Sequence, residues 1–415
     1  MTKWSHVKPG LALPAVKTVL FIGAGRHQRR AIVRARELGV RVVAADRNPE
    51  APGLEEADVG EVVDFDVAAL VDVGRTHGVD GVLTIAADRA VPIVAAVAEE
   101  LGLPGIGREV AHLVTHKVAM RRRLADAGVT QPAFAAVRTL HEGRDALETV
   151  GLPAVLKPAD CAGQRGLFLL RSVDDLEAHL HATLAESSNE EAIVESFHEG
   201  LEVNGLVVAR GGEPEIVTLS DRLRPDGAGF GVAIAHVYPS TLFGDRLAEV
   251  ERIAGHVVRA LGIEDSVVYP QMLVTSDRVL LIEVAARVPA GQMDQVAKRA
   301  VGVDLVEVAL RQAVGEIIPD ELIRHRFEQP LAISFLTAEP GPLPVGRVRA
   351  VTGLERVRAF PGVEEVEVFL QPGDRIEPVA RDGDRKGFVV ALGATNLEAV
   401  ERAKAAATLI DVDVS

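Results

Sequence analysis

Pro153-Ala-Val-Leu-Lys157-Pro-Ala-Asp-Cys161-Ala-Gly163-Gln-Arg-Gly166 reads as a short apolar strand that ends on a lysine and opens into a glycine-bearing loop. The strand end delivers an ammonium to the mouth of that loop, where it can offset phosphate charge. Gly163 and Gly166 flank Gln164 and Arg165, so backbone N–H groups there can approach anionic oxygens without obstruction from a Cβ. A lysine at a strand end is by itself an ordinary solvated charge; the glycines after it are what point to a phosphate cradle.

Upstream, Val19-Leu-Phe-Ile22 is a run of buried-strand length, Gly23-Ala-Gly25 a tight turn, and Ile32, Val33, Ala35 and Leu38 the apolar positions of a helix ending at Gly39. Val40 to Ala45 and Gly81 to Ile85 are further strands, and Val91, Val94, Ala95 and Ala98 mark the next helix. Residues 18–112 are therefore predicted to form a Rossmann-like unit on a parallel sheet. Residues 1–17, with Pro9, Gly10 and Pro14 and no periodicity, read as a loose leader. A helix from about Thr115 to Ala127, the quoted strand and loop, and a helix opened by the capping box Ser172-Val-Asp-Asp175 make a small α+β unit over 113–193. Residues 194–319 read as a larger antiparallel unit, with hairpin turns at Gly211-Gly212 and Ser276-Asp277 and helices near 246–261 and 294–315. Residues 320–415 look like an appended subdomain, with turns at Pro372-Gly373 and Asp382-Gly383 and Asn396 capping a last helix.

The 45 Lys+Arg against 60 Asp+Glu leave a net charge of −15, which argues against nucleic acid or an anionic membrane as the main partner. A polyphosphate ligand would need local cations. The longest uncharged apolar stretch, Ala90 to Ala98, contains Pro92 and is too short to span a bilayer. The single cysteine, Cys161, excludes an internal disulfide and fits a reducing cytoplasm.

Gly23-x-Gly25 follows a strand and opens a helix, and Asp46 lies about 20 residues on, where a dinucleotide fold places its ribose acid. Gln28 occupies the third glycine position, and an NAD-dependent oxidoreductase would leave the lysines unexplained. P-loop and paired-cysteine zinc motifs are absent from the sequence. Glu283 closes the run Val279-Leu-Leu-Ile282, and a hairpin around Ser276-Asp277 would set Gln271 beside it. Two oxygen side chains on adjacent strands suit Mg²⁺, which takes few protein ligands together with phosphate and water. Arg287 would then stand beside the metal, where a fixed guanidinium can stabilise charge on a reacting acyl group.

Lys157, the Gly163–Gly166 loop, the strand Ile193-Val-Glu-Ser-Phe197 and the Gln271, Glu283, Arg287 hairpin occur in an order that resembles the ATP-grasp superfamily over about residues 18–415. The resemblance implies an ATP-grasp fold of mixed α/β and α+β character, with an N-terminal Rossmann-like domain, a small lid domain, a core half and a C-terminal subdomain packed on the core. It implies that Lys117 and Lys157 meet ATP phosphates, that Glu195 to Phe197 form the hinge reading adenine, that Glu202 meets the ribose, and that Gln271 and Glu283 hold Mg²⁺. Many members read Glu-x-Asn-x-Arg where this chain has Ala285 in place of asparagine, which removes one metal ligand. Glu-x-Ala-x-Arg resembles instead the carboxylate–amine ligase branch that includes the L-amino-acid ligases, as does the stretch with Pro340-Gly341, Gly353-Leu-Glu-Arg-Val357 and Gln371-Pro-Gly-Asp374. His236 resembles a substrate-pocket histidine of that branch; Phe230, Tyr238 and Met293 are further pocket candidates. The implied activity joins a small carboxylate, such as an amino acid, to an amine through an acyl phosphate, releasing ADP and phosphate, with Arg287 as the catalytic residue and Gly163–Gly166 as a lid. The implied partners are small-molecule substrates, and a homodimer is compatible with the resemblance. Two alternatives stay open: a related carboxylase activating bicarbonate, and an ATP-binding sensor without turnover.

Overall fold

The computed structural model describes residues 16–225 and 231–415; the leader before Val16 and the pocket candidate Phe230 lie outside the described residues. Four parallel strands open the fold, in the order Val59–Val62, Arg41–Asp46, Thr18–Ile22, Gly81–Leu83. The inner strands are apolar runs because both faces are covered, whereas the edge strand Val59–Val62 carries Glu61 and stays partly exposed. Val19, Phe21, Val42 and Ala44 point into one core, and Leu20, Ile22, Val43 and Ala45 into another. The strand order reverses between Thr18–Ile22 and Gly81–Leu83, so the loops that follow them part at the carboxyl edge, the place where such sheets open a ligand crevice. Gln28 lays its side chain over the Gly23–Gly25 turn and donates to the Ile85 carbonyl at 2.6 Å. Asp46 accepts the Ala24 and Asn48 N–H groups at 2.7 and 2.9 Å. Both residues brace the turn from within.

A second, antiparallel sheet runs Phe134–Val137, Ala192–Ser196, Ala154–Pro158, Phe168–Leu170, with Ala146, Leu147, Leu176 and Leu180 of two helices packed on one face. Ser172 and Asp175 form the expected capping box on helix Val173–Glu186. Because Ala192–Ser196 completes this sheet, the division expected after residue 193 passes through a strand. The helix expected over about 115–127 is Lys117–Asp126, capped by extended His116, and a separate helix, Gly107–Thr115, precedes it.

The large sheet has eight antiparallel strands in the order Val279–Ala286, Ser266–Val274, Leu201–Arg210, Glu213–Leu223, Ala235–Tyr238, Leu331–Phe335, Gly387–Leu392, Val363–Val368. Both predicted hairpin turns join neighbouring strands. The last three strands come from the stretch expected to be appended, yet Leu331–Phe335 pairs directly with Ala235–Tyr238. The C-terminal stretch thus extends the core sheet. The helix expected near 294–315 is broken after Val301, with Asp304 capping Leu305–Ala313. The last helix, Asn396–Ala407, is capped by Thr395 rather than Asn396, whose side chain donates instead to the Pro239 carbonyl at 2.6 Å.

Candidate functional site

A cleft of about 870 Å³ lies between the small and large sheets, lined by Lys117, Lys157, Glu195, Phe197, Glu202 and Gln271 among others. Lys157 and Glu195 stand on adjacent strands, and the register Val155↔Glu195 makes them diagonal neighbours on one face, within reach of long side chains. Lys157 Nζ lies 2.8 Å from Glu195 Oε2, and Arg121 Nε lies 2.8 Å from Oε1. Burial alone would raise the Glu195 pKa, but the charges of Arg121 and Lys157 together hold it at about 2. Burial pulls the Lys157 pKa down, and Glu195 opposes the fall. The site thus holds its cations in a desolvated, preorganised form. Lys117, at the first position of its helix, donates to the Cys161 carbonyl at 2.6 Å and lies 3.3 Å from Glu283 Oε1.

Gln271 and Glu283 are direct cross-strand partners, as the hairpin predicted. A β-bulge follows at once, since Met272 pairs with Leu281 and Ile282 is the extra residue. Arg121 takes the two carbonyls this leaves, donating to Leu281 at 2.8 Å and Ile282 at 2.6 Å. One fully buried guanidinium therefore ties the Glu195–Lys157 pair to the strand that aims Glu283. No motif marks Arg121 in the sequence; it sits in the run Arg121-Arg-Arg123, which reads as a solvated basic patch.

A larger cavity of about 1640 Å³ shares Gln164, Arg165, Arg222, Gln271 and Glu283 with the cleft, so the two spaces meet at the Gln271–Glu283 pair. Its far walls come from Arg26 and Asp88 at the carboxyl edge of the parallel sheet, from Tyr269, Arg287 and Gly291, and from Phe335, Phe369 and Arg385 of the C-terminal stretch. Arg287 grips Asp88 with Nε and Nη2 at 2.9 and 2.6 Å. Burial would raise the Asp88 pKa, and Arg287 overrides it to keep the carboxylate ionised. Arg385 stacks on Phe335, 4.4 Å from the ring centroid. His236 lines this cavity and is buried.

Among the expected site residues, the structure brings Lys117, Lys157, Gly163, Gln164, Arg165, Phe197, Glu202, Gln271 and Glu283 to the cleft, and His236 and Arg287 to the larger cavity. Gly166 closes the lid loop with φ +65° and does not line either space. Glu195 lines the cleft too, and its carboxylate is held between Arg121 and Lys157. Glu202 is held by Arg222 and by Arg224 at 3.0 Å. Tyr238 and Met293 are corrected outright: both are buried in the main core instead of lining the cavity. The sequence reading missed Arg121, Asp88, Arg385 and Tyr269.

The metal donors present are one amide oxygen, from Gln271, and one carboxylate, from Glu283. Among the described residues no group of three or more His, Cys, Asp or Glu side chains is placed to hold a metal. That donor set does not enclose zinc, but it fits a hard divalent cation completed by phosphate and water. No helix among the described residues is long and apolar enough to cross a membrane.

Three family models match in succession: the ATP-grasp N-terminal domain over residues 32–105, the ATP-binding domain of the carbamoyl-phosphate synthase L chain over 116–321, and the L-amino acid ligase C-terminal domain 2 over 340–415. An uncharacterised protein of Sinorhizobium fredii is 26% identical over 87% of this chain and 74% of its own length. A formate-dependent phosphoribosylglycinamide formyltransferase of a Synechococcus species is 27% identical over 95% of this chain and 97% of its own. The crystal structure of an L-amino acid ligase from Bacillus licheniformis superimposes with a TM-score of 0.82 at 20% identity, covering 96% of this chain and 99% of that one.

Proposed function

The chain belongs to the ATP-grasp superfamily, and from that premise we propose that it is an ATP-dependent ligase joining a small carboxylate, such as an amino acid, to an amine. One observation supports this most: two cavities of different character meet at the Gln271–Glu283 pair. The smaller carries the lysines a triphosphate needs. The larger carries Arg287 and has walls from both the parallel sheet and the C-terminal stretch.

Phosphoryl transfer asks a protein mainly for positioning and charge neutralisation. Lys117 and Lys157 would hold the phosphates from either side of the lid loop, and the hinge strand would seat the base. Gln271 and Glu283 would hold Mg²⁺, which supplies charge neutralisation at the phosphates. The substrate carboxylate oxygen attacks the γ-phosphorus, the bond to ADP breaks, and an acyl phosphate forms. The amine nitrogen then attacks the acyl carbon, the nitrogen loses a proton, and phosphate leaves with its electron pair. Arg287, locked by Asp88, would face the acyl oxygens and stabilise the tetrahedral oxyanion. The Gly163–Gly166 loop would shield the acyl phosphate from water.

Phosphate release from ATP and Mg²⁺ should be stimulated by amino acids offered singly and in pairs, with bicarbonate as a separate arm. A product mass equal to the two substrates minus water establishes the ligase. Stimulation by bicarbonate alone would transfer the protein to the carboxylases, and silence in both arms would overturn the amino-acid reading.

A further inference from the structure

Asn204 lies fully buried on strand Leu201–Arg210, opposite Gln271, and the mechanism above makes no use of it. Its Nδ2 stands 3.1 Å from His236 Nδ1, and its Oδ1 is buried without a partner. The amide orientation follows from what each alternative strands. With Nδ2 toward the ring, one N–H is met, and the second N–H and the carbonyl oxygen have no partner among the described residues. Turned over, the amide would strand both N–H donors in the core, and orphaned donors are the rarer and costlier defect. Nδ2 therefore donates, His236 Nδ1 accepts, and the ring proton sits on Nε2.

The opposite edge of the ring, at Nε2, faces Gly291. A Cβ at Gly291 would stand 3.4 Å from Nε2, so glycine keeps that edge clear; its φ of +71° also favours glycine there. No hydrogen-bond partner for Nε2 occurs among the described residues, and both His236 and Gly291 line the larger cavity. Phe335 packs edge-on against the imidazole at 5.5 Å. Burial, with Arg222 and Arg385 nearby, keeps the ring neutral.

We infer that Asn204 is a positioning residue that fixes His236 as the Nε2–H tautomer, so that this point of the larger cavity receives an oxygen acceptor of the substrate, a carboxylate or phosphoryl oxygen. An ammonium is unsuited to it, because donor would face donor beside two guanidinium groups. Which oxygen is received rests on the ligase reading; the tautomer and the preference for an acceptor do not.

The test is long-range ¹H–¹⁵N correlation of the ring nitrogens in the ¹⁵N-labelled full chain, with the His236 signals identified by their loss in His236→Gln. The expected pattern is a protonated Nε2 and a bare Nδ1, which Asn204→Leu should abolish. A protonated Nδ1 with a bare Nε2 in the wild-type chain would overturn the assignment without any variant. Acetate and inorganic phosphate, titrated separately, should move the Nε2 signal, and methylammonium should not. Failure of both anions to move it, or a response to methylammonium alone, would remove the acceptor role. Where an amino-acid pair supports turnover, His236→Leu should raise its KM about tenfold or more and His236→Gln, which restores an N–H, should recover most of that. Equal KM values in the two variants would also overturn it.

Discussion

The cleft and the larger cavity share a floor but are assembled differently. The cleft takes its groups from the middle of the chain, residues 117–283: the start of helix Lys117–Asp126, two neighbouring strands of the small sheet with the glycine loop, and strands of the large sheet. The cavity draws on four distant stretches, and its central pair, Arg287 and Asp88, is separated by 199 residues. The difference teaches that the groups suited to a triphosphate can be carried by the two central sheets alone, whereas the space beside them depends on how the N-terminal and C-terminal stretches close on that centre.

If that contrast holds, the two spaces should fail separately, and the buried group that braces their shared floor should fail most severely. Arg121→Leu removes the guanidinium shared by Glu195 and the bulge, and should cost about 3–5 kcal/mol of stability in a denaturant titration, as expected for a broken buried ion pair. A loss below about 1 kcal/mol would make Arg121 a surface-like charge. Arg287→Ala should lower turnover about 10²–10³-fold, the scale of losing one oxyanion donor, while ATP affinity by calorimetry stays unchanged. Turnover equal to that of the wild-type chain would take Arg287 out of the mechanism. Lys157→Met should do the reverse, weakening ATP binding about 10- to 100-fold, the worth of a hydrogen bond to a charged group, with the fold intact. Equal affinity would end the phosphate role.

The gentlest probe is acid. Glu195 titrates at about 2 in the folded chain against 4.5 ordinarily, so its contribution to stability is complete above about pH 4.5 and fades as pH falls toward 2. The unfolding free energy over that window, from denaturant titrations, should drop with a slope of at most about 1.4 kcal/mol per pH unit from this group, and Glu195→Gln should flatten it. An unchanged slope in the variant would mean that other carboxylates govern acid unfolding.

Much of the fold was legible because its signals are local. The parallel strands show as continuous apolar runs, and a turn of the right length around Ser276-Asp277 suffices to make Gln271 and Glu283 partners. The lysines and the glycine loop are legible in the same way. Arg121 is not, because nothing in three consecutive arginines says which one is swallowed by the core. Asp88 and Arg385 acquire their roles only when the parallel sheet and the C-terminal stretch converge on one cavity. Tyr238 and Met293 misled for the complementary reason: their side-chain types suit a pocket, but strand and helix phase turn them into the main core. Glu195 was placed on the right strand, but its bracing by Arg121 is not legible, because Arg121 lies 74 residues away in sequence.

The eight-stranded sheet bears on how relatives of this chain can be recombined. A chimera joined near residue 320, the boundary suggested by the sequence, would have to re-form the pairing of Ala235–Tyr238 with Leu331–Phe335 between two unrelated parents. If the register there slipped by one residue, every inward side chain of the transplanted strands would turn outward, and the mispaired edges would be open to other chains. A junction after Phe335 would keep that pairing within one parent but pass the same demand to Leu331–Phe335 and Gly387–Leu392, so grafting to exchange substrate preference must carry matched strands on both sides of the joint.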